Sequence, residues 1–219
     1  MNPFGISSIL KEGLVASTKL GYDDTWHQNV IYRCVENIIW ISLPQYYIQN
    51  IIMDGSKITI KYCNEFFEYL FEGVAFDIVP DYPAHVKVVV HSVHEIVNTR
   101  SAPRYDTYLP SRIKSCWKEA KYFCITTNIS SGGVAFTAKN EFDYGEDTEM
   151  WIYLPDNQII NVQGKLIRKS AKNKLFTYSM QFSDVYGINS KLLSSYLAYL
   201  DKKNSTLQFS FFDTIKKLL

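Results

Sequence analysis

The feature that most limits what this chain can fold into is its repetition of short β-type runs. From about residue 13 to residue 183, runs rich in β-branched and aromatic residues alternate with turn signals. A helical period is absent until residue 188. Such a series predicts small antiparallel sheets or barrels rather than alternating β-α units. In the first half the runs are NVIYRCV (29–35), IIWISLP (38–44), KITIKYC (57–63), FFEYLFEGVAFDIV (66–79) and HVKVVVHSVHEIV (85–97). KITIKYC alternates cleanly, with Ile58, Ile60 and Tyr62 on one side and Lys57, Thr59 and Lys61 on the other, the period-2 pattern of a half-buried strand. Asp54-Gly55 is a strong turn signal before it. Together these predict a meander or small barrel of five or six strands.

A second set follows Pro110: SRIKSCW, KYFCITTN (121–128), GGVAFTA (132–138), TEMWIYL (148–154), QIINVQGKLIRKSA (158–171) and LFTYSMQFS (175–183). It predicts a second barrel. Ile188, Leu192, Leu193, Tyr196, Leu197 and Leu200 then recur at spacings of three and four, predicting an amphipathic helix. The tail TLQFSFFDTIKKLL (206–219) reads as a second helix, with Phe209, Phe211 and Phe212 packing on a barrel in preference to a partner. The fold class is therefore mainly β: two small antiparallel β-barrels with a C-terminal helix. The division falls at 1–97 and 98–219, joined by a short linker over about residues 96–106.

Charge supports two modules. Residues 1–98 carry six Lys/Arg against eleven Asp/Glu, a balance of −5, and residues 99–219 carry seventeen against eleven, a balance of +6. An anionic ligand is expected on the second module. Cys34, Cys63, Cys116 and Cys124 form no CxxC pair and read as small buried apolar residues. The N-terminus MNPFGISSILKEG lacks the basic and apolar regions of a signal peptide. No apolar stretch approaches the ~20 residues that span a bilayer. These features place the chain in the cytoplasm.

Two motifs carry chemistry. In NTRSAPRYD (98–106), Arg100 and Arg104 flank Pro103, which removes an N–H and pushes Ala102 out of the helical region. The segment is a bent or extended connector bearing two guanidinium groups. In TNISSGGVAF (127–136), Asn128 and Ser130 are two apart and share one face of a strand. Gly132 and Gly133 follow, where glycine marks a bulge, a turn or the close approach of another molecule.

In this order, an RxxxR segment before a barrel and an NxSxxG motif on its next strand, the chain resembles the PilZ domain family of cyclic di-GMP receptors. The resemblance runs from about residue 98 to about 203. The barrel ahead of it resembles the N-terminal domain of YcgR-like proteins. The resemblance implies a non-catalytic cyclic di-GMP receptor that binds through Arg100, Arg104, Asn128, Ser130, Gly132 and Gly133, with no other cofactor. It implies a change in domain orientation on binding and a protein target such as the flagellar motor or polysaccharide-synthesis machinery. Thr99 stands where many relatives carry a tandem arginine, which bears on a third arginine contact and on a stacked ligand dimer. Ser179 stands where many have a glycine late in the last strand.

Other classes are less well supported. His27, His85, His91 and His94 are scattered, and neither a nucleophile motif nor a phosphate-cradling loop is present. A flavin-dependent split barrel would share the strand pattern of the first half. A single-strand nucleic-acid barrel would share the basic, aromatic second half, but Lys169, Lys172 and Lys174 fall around a turn, as solvated lysines do. Some PilZ domains lack the arginines and act as interaction modules without ligand, and Arg100 and Arg104 argue against that reading here.

Overall fold

The computed structural model describes residues 5–172 and 174–217. They form two compact units, one of residues up to Thr99 together with those from Lys202, the other Arg100–Asp201.

The first unit holds a short helix α1 (Ile6–Ile9) and six strands: β1 (Val15–Leu20), β2 (His27–Val35), β3 (Ile38–Ser42), β4 (Lys57–Cys63), β5 (Phe67–Val79) and β6 (His85–Val97). They close into an antiparallel barrel in the order β1-β2-β3-β6-β5-β4. Alternation explains the closure: Ile58 and Ile60 of β4 point into a core with Ile31, Ile39, Ile41, Phe71, Val86 and Val88, while Lys57 faces solvent. A helix α2 (Gln45–Gln49) lies between β3 and β4. It buries Tyr47, whose hydroxyl donates to Thr18 Oγ1. Ser42 Oγ donates to Asn29 Oδ1 at 2.9 Å in the same interior, so these buried polar groups are paired.

The second unit contains β7 (Tyr105–Asp106), β8 (Pro110–Ser115), β9 (Tyr122–Ser130), β10 (Gly133–Ala138), β11 (Asp147–Tyr153), β12 (Ile159–Lys172) and β13 (Leu175–Phe182). The sheet order is β10-β13-β12-β11-β8-β9, and β9 pairs with β10 to close a six-stranded barrel. β7 adds to β9 beyond the end of β8. The helix α3 (Gly187–Ser210) starts in this unit, and its Leu193, Tyr196 and Leu200 join a core with Ile113, Ile129, Phe136, Met150 and Tyr178.

The tail departs from expectation. Instead of two helices there is one, followed by a π-helical turn Phe211–Ile215. The physical reason is that neither glycine nor proline occurs after Gly187, so nothing interrupts the helix. Phe211 is 1% exposed and packs on Val30 and Tyr32 of the first barrel, with its ring 5.6 Å from that of Tyr32. Phe209 and Phe212 remain exposed. Residues from Lys202 therefore group with the first barrel and not with the second, where the division at 97/98 puts them. Leu218 and Leu219 lie outside the described residues. Of the cysteines only Cys124 is fully buried, and Cys63 and Cys116 are exposed.

Candidate functional site

The residues singled out in the sequence lie around the point where the linker enters the second barrel. Arg100 and Arg104 are both exposed, on a bent segment without helix. The segment then joins the sheet through β7, with Tyr105 opposite Ile129 and Asp106 opposite Asn128. Tyr105 packs toward the core, so Arg104 and Asp106 on either side of it face outward. One step along the register, Arg104 comes level with Ser130.

Asn128 and Ser130 face outward because β9 is irregular. In its pairing with β10, Asn128 is opposite Ala135 but Thr126 is opposite Phe136, so Thr127 is an extra residue. This bulge inverts the alternation. Before it Cys124 and Thr126 point inward; after it Ile129 does, at 0% exposure. Without the bulge Asn128 and Ser130 would point into the core. Asn128 is half-buried, and no side-chain hydrogen bond to it is found among the described residues. Ser130 is only 8% exposed, and its hydroxyl donates to the Gly133 carbonyl at 3.3 Å across the hairpin turn.

The two glycines differ. A Cβ on Gly133 would sit 2.5 Å from the Met180 carbonyl oxygen, so the close passage of β13 already explains this glycine. A Cβ on Gly132 would meet nothing of the chain within 4 Å, so open space lies on that side of the turn. The six residues singled out in the sequence thus divide. Arg104, Asn128, Ser130 and Gly132 are gathered by β7, β9 and the turn; Gly133 serves the β10–β13 approach; Arg100 lies four residues upstream, on the exposed linker.

Sequence reasoning missed what holds β7 in place. Between the pairs Asp106–Asn128 and Pro110–Ile125 the linker side has three residues and β9 has two. Thr126 bridges the mismatch: its Oγ1 accepts from Leu109 N at 2.8 Å and donates to the Thr107 carbonyl at 2.7 Å. Thr107 Oγ1 is 2.8 Å from Tyr196 Oη on α3. Burial pushes the Tyr196 phenol up from its usual range, with the Thr107 hydroxyl opposing. Tyr105 Oη reaches Asp201 Oδ1 at 3.4 Å. A tyrosine within an apolar stripe was the available signal, since a buried phenol needs a partner.

Elsewhere, among the described residues, no group of three or more His, Cys, Asp or Glu side chains is placed to hold a metal ion. Among the described residues no helix is long and apolar enough to cross a membrane.

Comparison with known proteins bears directly on this unit. The PilZ domain model matches residues 98–199. No curated protein matches the chain. Among solved structures, the Bacillus subtilis inhibitor of motility MotI/DgrA is 16% identical, with 90% of this chain and 99% of that chain covered and a TM-score of 0.44. YcgR from Escherichia coli, solved in complex with c-di-GMP, is 12% identical over 92% and 90%, with a TM-score of 0.46. The K. pneumonia MrkH–c-di-GMP complex is 13% identical over 87% and 89%, at 0.47. Residues 98–199 are a PilZ domain, and a first six-stranded barrel precedes that domain.

Proposed function

We propose that the chain is a receptor for cyclic di-GMP, without catalytic activity, which binds at the junction of the linker and the second barrel. The observation that carries this reading is the register of β7 on β9, which brings the exposed Arg104 level with the outward face of Asn128 and Ser130. The ligand has two guanines and two phosphates, about two negative charges. An arginine fork gives paired hydrogen bonds to guanine O6 and N7, or stacks on a purine while its charge approaches phosphate. Asn128 offers an amide donor and acceptor to a guanine edge. Ser130 supports the turn through its bond to Gly133, and the open side of Gly132 admits the ligand to the backbone. Charge-assisted contacts contribute about 1.5–3 kcal/mol each, enough in combination for tight binding after ordering costs.

Arg100 lies in the linker that leads from the first barrel. A ligand gripping Arg100 and Arg104 fixes the linker's path, so binding shifts the population of barrel orientations. That shift is the signal to a protein target, in a motility or exopolysaccharide-type output. No nucleic acid or membrane is required.

Titration calorimetry with cyclic di-GMP tests the reading. Binding by the wild type, weakened by about tenfold or more in both Arg100→Ala and Arg104→Ala, is expected; tenfold corresponds to about 1.4 kcal/mol. No binding by the folded wild type makes the domain a ligand-free interaction module. Unchanged affinity in both variants removes the site.

A further inference from the structure

Resting on that reading, we infer that Tyr196 is a positioning residue for the ligand site: through Thr107 and Thr126 it sets where Arg104 stands. β7 has two residues and two ladder pairs, Tyr105–Ile129 and Asp106–Asn128. So short a strand does not hold its own register. Immediately after it the chain leaves the ladder for Thr107, Tyr108 and Leu109. What fastens that excursion is a set of three hydroxyls that meet at Thr107, that of Thr126 at its backbone carbonyl and that of Tyr196 at its side chain. Thr126, 0% exposed, is bonded to the backbone at both ends of the excursion, at 2.7 and 2.8 Å. Thr107 N donates to the Thr127 carbonyl at 3.2 Å, at the bulge itself. The Thr107 hydroxyl is then paired with that of Tyr196, both residues being 8% exposed.

Burial makes this pairing obligatory, because an unpaired hydroxyl there has no water to turn to. The ring of Tyr196 belongs to the barrel core, so this residue ties α3 to the barrel by its packing and to the linker by its hydroxyl, with Tyr105 Oη adding a longer contact to Asp201 Oδ1 of α3 at 3.4 Å. Phenylalanine keeps the first and removes the second. Thr107 lies three residues from Arg104, on the same strand end. Loosening it loosens the arginine without touching any group that meets the ligand.

Two measurements on the full chain decide the matter. The first needs no ligand. Trypsin cuts after Arg100 and after Arg104, and the ratio of the two rates reports the hold on β7. Tyr196→Phe and Thr126→Val should raise cleavage after Arg104 severalfold relative to Arg100, and Thr126→Ser, which keeps the hydroxyl, should restore the wild-type ratio. An unchanged ratio in Tyr196→Phe overturns the inference. The second is a double-mutant cycle on cyclic di-GMP affinity. Tyr196→Phe should weaken binding roughly threefold to tenfold in the wild-type background, the range of one hydrogen bond. It should have almost no effect in Arg104→Ala, since coupled residues are non-additive. Equal losses in both backgrounds mean that the tyrosine acts elsewhere. If the wild type does not bind cyclic di-GMP, the functional reading fails, while the cleavage ratio still decides whether Tyr196 holds the linker.

Discussion

Replacing Gly133 by alanine should destabilise the second barrel, and the same change at Gly132 should not. At Gly133 the new Cβ falls 2.5 Å from the Met180 carbonyl oxygen, where ordinary contact begins at 3.4 Å. Backbone must therefore yield by about 0.9 Å. It has little room, because β13 is hemmed in on its other side as well: a Cβ on Gly164 of β12 would lie 2.1 Å from the Gln181 carbonyl oxygen. The shift also strains the hydrogen bond from Phe182 N to the Gly132 carbonyl, 2.9 Å. Overpacking of this kind costs about 1–3 kcal/mol, and the backbone obstacle places Gly133→Ala at about 2–3. For a unit of this size each kcal/mol moves the midpoint by roughly 4–8 °C, so a fall of about 10–20 °C is expected. At Gly132 the new methyl meets nothing within 4 Å, and φ is outside the left-handed region. A cut in unfolded-state entropy then leaves Gly132→Ala equal to wild type or more stable by up to about 1 kcal/mol. Thermal and urea unfolding of the full chain, followed by circular dichroism, measures both. A Gly133→Ala barrel as stable as wild type, or a Gly132→Ala barrel that loses as much, refutes the reasoning. The same pair separates fold from binding: a Gly132 variant that keeps its stability but loses cyclic di-GMP would put the ligand at the turn.

Phe211→Ala should destabilise the first unit by about 3–5 kcal/mol, the usual cost of truncating a buried phenylalanine, because its ring is 1% exposed against Val30 and Tyr32; Phe209→Ala, at a 67% exposed position, should leave the melting curve in place. His27 stacks on Tyr46 at 3.7 Å, and its Nε2 is buried with no hydrogen-bond partner among the described residues. Burial lowers its pKa from 6.5, with the Asp23 carboxylate opposing, so its contribution is present above pH 6.5 and is lost as pH falls below that value, where the unfolded chain takes up the proton first. Denaturation of wild type and His27→Gln at pH 7.5 and 5.5 should show the larger loss in wild type, and equal slopes would contradict it.

Most of the barrel framework was legible because alternation reports directly on a half-buried strand. KITIKYC became β4 with the expected faces, and each of the six runs after Pro110 became a strand. The elements that escaped include α1 with four residues, α2 with five and β7 with two, all too short to have a period, and also β1 (Val15–Leu20), which was not among the runs named. The charge division was legible but overstated. With residues from Lys202 counted alongside the first barrel, the balances of −5 and +6 become −2 and +3, because Lys202, Lys203, Lys216 and Lys217 change sides together with Asp213. Sequence order says nothing about which barrel a terminal helix covers. The RxxxR and NxSxxG residues were found as motifs, yet the two glycines could not be told apart, since what distinguishes them is a strand nearly fifty residues away.

The gathering of Arg104 with Asn128 follows from two irregularities that require each other. β9 carries one residue more than β10 at Thr127, and the linker carries one more than β9 between Asp106 and Pro110. The first turns Asn128 and Ser130 outward; the second lets β7 pair with that rotated end after β8 has paired with the regular part. Either alone would present mismatched faces: an unbulged β9 would offer Ile129 to solvent opposite Tyr105, and a linker without its excursion would bring Tyr105 out and Arg104 in. Thr126 lies at the meeting point, bonded to both ends of the excursion one residue before the bulge. Its hydroxyl supplies partners that a regular ladder would have supplied from backbone, which is why a threonine in an ordinary β-forming run can decide which way an arginine three residues before Thr107 faces.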